Sequence, residues 1–265
     1  MKYLIDNDLH IHSQLSSCSS DPEQTTKAIL EYGEKNGLTT LCLTDHFWDQ
    51  KVEGCSNWYR PQDLEHVKKA LPLPQKEGMR FFFGCETEMD RFDRLGIAKE
   101  TFDQFDFVII PTTHLHMDGF TITEEEMSVE GRAKAWARRF EALLNKDIPF
   151  EKVGIAHLTC PLIYKKGNHH DVTRLVSDAA MNDLFAGAAE KGMGIELNMP
   201  ILRYQGAELE EELRPYRIAK EKGCKFYFGS DAHHPAGLAE AKVNFETMAE
   251  LLQLSEDDKF HPAGF

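Results

Sequence analysis

The residues of this chain best suited to chemistry are histidines, and most of them fall in pairs or beside carboxylates. Asp8, Leu9, His10, Ile11 and His12 are consecutive. Side chains alternate along a β-strand, so His10 and His12 are expected on one face, with Leu9 and Ile11 on the other. Two neutral imidazoles side by side can grip one metal ion or two adjacent ones, and Asp8 is placed to orient one of them. The bland reading of the same motif is a pair of histidines exposed on a hairpin. Thr44, Asp45 and His46 close a second apolar run. His46 is the candidate ligand there, and Asp45 is open to orienting a ligand or capping the next turn. Glu86 and Glu88 share a strand face, a geometry in which Glu86 bridges two cations while the second carboxylate orients a ligand. His114 and His116 repeat the His-x-His spacing. His114, nearer the strand, is the candidate ligand, and His116 meets substrate or solvent. His157 follows Ile155 and Ala156 at another strand end, and Asp231, His233 and His234 close the last run. An aspartate beside a water polarised by a metal can hold the ion and take the water's proton. Asp231, His233 and Glu86 are therefore the catalytic candidates.

These side chains need a scaffold that delivers strand ends to one place. Seven β-rich runs recur, at 3–12, 39–46, 80–88, 105–114, 152–157, 192–198 and 225–233. Helical stretches lie between them at 22–36, 61–70, 128–144, 172–191 and 215–222, and Gly37, Gly192 and Gly223 sit where helix C-caps belong. The alternation predicts βα units around a parallel sheet, and a TIM-like (β/α)7 barrel spanning residues 1–265 as one domain is the economical closure. Apolar residues fill each run and ionisable ones collect at its C-terminal end, the face on which barrels build their sites.

His10, His12, His46, Glu86, His114, His157, Asp231 and His233 outnumber the three or so protein ligands that one catalytic zinc takes. Two or more divalent ions are implied, and imidazole with carboxylate suits zinc, iron or manganese alike. Glu196 and Asn198 share a strand face at the mouth and are candidates for substrate contact or ligand support. Arg203, in the loop after the sixth run, is either a phosphate clamp or a surface residue. His116, Glu196, Arg203 and His234 are the substrate-binding candidates. Trp48, Trp58 and Tyr59 either line a pocket or form a small satellite core. His169 and His170 fall in a polar stretch read as a loop without chemistry.

Composition narrows the partners. A formal net charge of -14 repels nucleic-acid backbones. Clustered metal ions can nevertheless invert the local field, so a small phosphorylated substrate remains compatible. No apolar run approaches the roughly 20 residues that cross a bilayer. Six cysteines are scattered without a Cys-x-x-Cys pair, which fits reduced thiols and a soluble cytoplasmic protein.

Taken together the motifs resemble the polymerase and histidinol phosphatase (PHP) family. Its four motifs are matched in order by residues 8–12, by Thr44, Asp45 and His46, by His114 and His157, and by residues 230–233, with the bridging glutamate at Glu86. The resemblance implies a distorted seven-stranded barrel, up to three metals, and hydrolysis of a phosphate ester, with histidinol phosphate the best-known substrate. It also implies a ninth ligand shortly after the first motif. No histidine occurs in residues 13–21, and Asp21 is the candidate substitute, equally placed to cap a helix before Pro22. Two other readings compete. An amidohydrolase-type barrel also opens with His-x-His, but its bridging lysine is missing from residues 107–114. A metal-stabilised domain without catalysis would be expected to have lost ligands.

Overall fold

A computed structural model of the chain describes residues 1–19, 21–198, 201–239 and 241–264. The strands are β1 (Asn7–Ile11), β2 (Thr40–Leu43), β3 (His46–Phe47), β4 (Arg80–Phe83), β5 (Cys85–Thr87), β6 (Val108–Pro111), β7 (Val153–Ala156), β8 (Gly194–Leu197) and β9 (Lys225–Phe228). Their ladders are all parallel and form two sheets, β1-β2-β4 and β3-β5-β6-β7-β8-β9.

Each of the seven expected runs contains a strand, but the expectation of seven strands in one closed sheet needs correcting. The second run breaks between β2 and β3, and the third between β4 and β5. Gly84 marks the latter break, where an added Cβ would come within 2.8 Å of Cys42 Sγ and overlap the Phe107 carbonyl. Only a residue without a Cβ lets these backbones approach so closely. At the opposite edge, the end of β1 meets the turn after β9 through one parallel bridge, Ile11 with Ala232. Asp231 N–H donates to His10 O at 2.8 Å, and His12 N–H to Ala232 O at 3.1 Å. Among the described residues no ladder joins β9 to β1. A register shift between Asp8 and Ile11 also separates two aliphatics expected on one side. Leu9 joins an inner cluster with Cys42, Phe107, Ile109 and Tyr227, while Ile11 joins the larger core. An irregular register breaks strict alternation.

The helices are α1 (Thr26–Lys35), α2 (Leu64–Val67), α3 (Val129–Leu144), α4 (His169–Thr173), α5 (Asp178–Lys191), α6 (Gly206–Glu221), α7 (Pro235–Ala239) and α8 (Ala241–Leu251). Thr25, Ser128 and Ser177 cap α1, α3 and α5 by accepting the N–H of Ala28, Gly131 and Ala180. Asp21 is therefore not the cap of α1; its carboxylate accepts Glu23 N–H at 2.9 Å in the turn before it. The expected helix 172–191 divides at the Ser177 cap, and His169 and His170 lie in α4 rather than a loop. The helix expected from Pro215 begins instead at Gly206, with Pro215 inside it. Gly192 closes α5 at φ +75°, as its position suggests. Among the described residues, no helix is long and apolar enough to cross a membrane.

Candidate metal centre

The ends of β1, β3, β5, β7 and β9 and the loop after β6 bring the histidines and acids together. His10 Nε2, His12 Nε2, Glu86 Oε2 and Asp231 Oδ1 form the tightest group. His10 Nε2 lies 3.1 Å from His12 Nε2, 3.3 Å from Glu86 Oε2 and 3.4 Å from Asp231 Oδ1. His12 Nε2 lies 3.2 Å from the Glu86 oxygen and 3.1 Å from that of Asp231. Donors bound tetrahedrally at about 2.0–2.1 Å from an ion stand roughly 3.3 Å apart, so these five spacings fit the edges of such a coordination shell. Two carboxylates held this close, one of them fully buried, also repel unless a cation lies between them.

Glu86 reaches further. Its Oε2 is 3.2 Å from His46 Nδ1, and its Oε1 lies 3.9 Å from His114 Nε2 and 3.8 Å from His157 Nε2. Glu86, His114 and His157 thus make a second potential metal group. A third gathers His12, His46 and His233 with Cys18. Glu86 Oε1, His46 Nδ1 and His157 Nε2 are buried without a hydrogen bond among the described residues. Such groups cost free energy when left without a partner, and a divalent ion is a partner suited to all three. The donors present therefore fit a metal centre.

The backbone is strained where it aims two of these side chains. Asp231 sits at φ +51° and His157 at φ +29°. Non-glycine residues in this region cost on the order of 1–3 kcal/mol and persist only where their surroundings fix them. For His157 the surroundings include Glu196, whose Oε2 accepts its N–H at 2.8 Å. Glu196 Oε1 lies 2.5 Å from His10 Nδ1, so this fully buried carboxylate holds two ligand-bearing strands instead of facing the mouth. Glu88 plays the same part for His114, with Oε2 2.9 Å from Nδ1 while Oε1 pairs with Arg139. Arg139, on α3 and fully buried, also donates to the carbonyls of Met89 at 2.9 Å and Thr121 at 3.1 Å. Asp45 accepts from Ser13 Oγ at 2.7 Å and Ser16 Oγ at 2.8 Å, and Ser16 Oγ stands 3.0 Å from His12 Nδ1. Asp8 accepts Ser230 N–H at 2.9 Å and Tyr32 Oη–H at 3.2 Å, fastening the last strand end to the first.

Protons take the place of cations when no ion is bound. Burial favours neutral carboxyls, but the charge and hydrogen bonds of the neighbouring His10 and His12 outweigh it and hold Glu86 well below the usual carboxylate range. Burial is likewise overcome at Asp231, by His10, His12 and His233. Against burial, Asp231 and Glu86 raise His12 to about 9. Burial dominates at His46 and keeps its ring neutral. It also depresses His116, with His114 adding to the effect, to about 3. Metal binding must therefore displace protons from part of this cluster.

A cavity of about 550 Å³ opens over the centre. Cys18, His46, Glu86, His114, Asp231 and His233 form its base, with Trp58, Tyr59, Met117, Phe120, Leu162, His116 and Lys165 among the walls. Trp48 is buried behind that wall, its ring 5.8 Å from Tyr59 and 5.6 Å from Phe120. Arg203 and His234 lie elsewhere, lining a second cavity of about 320 Å³ with Asn198. Asp21 does not join the metal groups, whereas Cys18, three residues earlier, does. In the sequence Cys18 does not stand out, because the ninth donor is expected to be a histidine or carboxylate. Its sixth place after His12 on a loop returning to the site was the available signal. Arg139 had none, since helix α3 carries several arginines.

The profile of the PHP domain matches residues 8–200. A protein from Deinococcus radiodurans named "Probable histidinol-phosphatase" is 28% identical over 243 residues, covering 86% of each chain. One from Caldicellulosiruptor bescii named "Probable phosphatase" is 21% identical over 219 residues, covering 82% of this chain and 76% of that one. Among solved structures, histidinol phosphate phosphatase from Lactococcus lactis, complexed with zinc, L-histidinol and phosphate, superposes with a TM-score of 0.62. It is 17% identical, and the match covers 93% of this chain and 94% of that one, which establishes a shared fold.

Proposed function

The chain belongs to the PHP family, and from that premise we propose that it is a metal-dependent phosphoesterase cleaving a small phosphate ester of the histidinol phosphate kind. The observation that carries this reading is the set of five donor spacings of 3.1–3.4 Å among His10, His12, Glu86 and Asp231. These four residues would hold one divalent ion, and Glu86, His114 and His157 a second, with His46 and His233 available to a third. Zinc, iron or manganese suits the imidazole and carboxylate donors. Such ions supply Lewis acidity, which acidifies water and neutralises charge on phosphoryl oxygens.

The chain's own groups have separate tasks. Asp231, whose side chain is 26% exposed and held anionic, takes the proton of the attacking water. Lys165 is the cation among the described wall residues and meets the phosphate. His116, neutral at physiological pH, offers a hydrogen bond without repelling a cationic leaving group. Trp58, Tyr59 and Phe120 exclude water and give a flat alcohol portion an aromatic surface. The name of the D. radiodurans relative and the ligands of the L. lactis structure agree with this assignment. The scaffold is then a distorted, TIM-like arrangement of parallel strands open between β9 and β1, in a cytoplasmic protein with reduced thiols.

The test is metal content measured on the same preparation assayed for phosphate release from histidinol phosphate and a panel of other esters. Two or three bound ions with release from one ester are expected. Bound ions with no release from any ester would overturn the proposal.

A further inference from the structure

We propose that Cys18 is a thiolate ligand of the metal centre, completing with His46 and His233 a site for a soft divalent ion such as zinc or cobalt(II). The inference rests on the metal-centre reading above and adds to it a donor of a different chemical class. Cys18 Sγ and one ring nitrogen from each of His12, His46 and His233 all lie within 4.8 Å of one another. His12 Nε2 already stands at tetrahedral spacing in the first group, which leaves Cys18, His46 and His233 as a three-donor set with room for an exchangeable fourth position. His46 is 6% exposed, and its Nδ1 makes no hydrogen bond among the described residues. A buried imidazole nitrogen left without a hydrogen bond, on a residue of this set, points to an ion as its partner.

The loop carrying Cys18 is fastened on both sides. Ser17 N–H donates to Gln62 Oε1 at 2.8 Å, and Ser19 Oγ–H donates to the carbonyl of His233 itself at 2.6 Å. The thiol is thereby tethered to the strand end that carries another donor of its set. Cys18 is exposed and lines the cavity, which gives an arriving ion a path. Coordination exchanges the S–H proton for the cation, and that proton leaves to solvent. Thiolate favours zinc and cobalt over manganese and magnesium, so this position is expected to discriminate among metals where a third imidazole or a carboxylate would do so less.

The experiment strips the full-length protein with a chelator and reconstitutes it with cobalt(II), read by absorption and elemental analysis. Wild type is expected to show a near-ultraviolet sulfur-to-cobalt charge-transfer band. C18S should lose the band together with one equivalent of bound cobalt, and C18H should keep the equivalent but not the band. C160S serves as a control, because Cys160 Sγ lies 3.8 Å from His157 Nδ1, and it should keep the band. Cobalt bound without any band, or a band that survives C18S, would overturn the role of Cys18 while leaving the metal centre standing. Failure of the wild type to bind cobalt or zinc at all would overturn both.

Discussion

Among the described residues, the strand ends and a pair of helices each gather histidines and carboxylates that could hold a metal ion, and their donor spacings separate them. At the strand ends, His10, His12, Glu86 and Asp231 stand 3.1–3.4 Å apart. Between α4 and α6, His169 Nε2 and His170 Nε2 approach one oxygen of Glu212 at 2.5 and 2.8 Å. The second pair are short contacts converging on one oxygen, whereas the first set lies at or beyond the long end of the N–H···O range, although the donors of both groups are close enough together to hold an ion. Residue types are alike in both, and all of these residues but Asp231 are buried. Holding acid and imidazole apart leaves room for an ion between them. Strand ends anchored by Glu196, Glu88 and Asp45 do this, while two packed helices let their side chains close on each other.

The sharpest way to break the comparison is to remove the shared carboxylate of each group. Glu86→Ala is expected to lose at least two bound ions and essentially all phosphate release, measured by elemental analysis and turnover. Full activity in that variant would refute the cluster. Arg139→Met leaves Glu88 as an uncompensated buried charge. It should cost about 3–5 kcal/mol in denaturant unfolding, and an unchanged midpoint would show that Glu88 does not depend on it. Glu212→Gln in the helical group should cost about 1–3 kcal/mol through its lost hydrogen bonding while leaving the number of bound ions unchanged. A lost equivalent of metal there would erase the distinction between the two groups.

The smallest effect is one of pH. His12 is raised to about 9 in the absence of a cation, so its contribution is complete below its ordinary value near 6.5 and is lost as pH climbs toward 9. Asp8, raised by burial to about 7, gives up its share at lower pH, between about 4 and 7. Chelator-treated protein should therefore lose about 2 kcal/mol from pH 7 to 9 through His12 alone, with His10 and His157, also raised, adding to it, while the metal-loaded form, whose ligands must be deprotonated, should not. Parallel slopes for the two forms would mean that His12 binds no ion.

The strand ends were legible in the sequence because each couples an apolar run to an ionisable residue, and period-two alternation placed His10 beside His12. That alternation fails where the backbone turns. At Asp231, φ +51° ends the strand geometry, so His233 stays with the metals while adjacent His234 points to the second cavity. Arg203 is lost to that cavity for a related reason, lying in a 3-10 turn beyond β8. Gly206 and Pro215 disguised the length of α6 and so hid Glu212, the partner that turns His169 and His170 from loop residues into a buried group. The nine strand segments were illegible because the breaks at Thr44 and Gly84 reflect contacts with other strands and leave no trace in local composition.

The strained backbone at His157 and Asp231 has a kinetic meaning. Both residues are held in place by hydrogen bonds to other strands, His157 by Glu196 and Asp231 by the carbonyl of His10. Their pose therefore does not wait for an ion. Capture then requires shedding of the ion's hydration shell and exchange of protons, with little rearrangement of the chain. Emptied and loaded molecules should be nearly identical in outline, and the speed of loading should follow the water-exchange rate of the incoming ion.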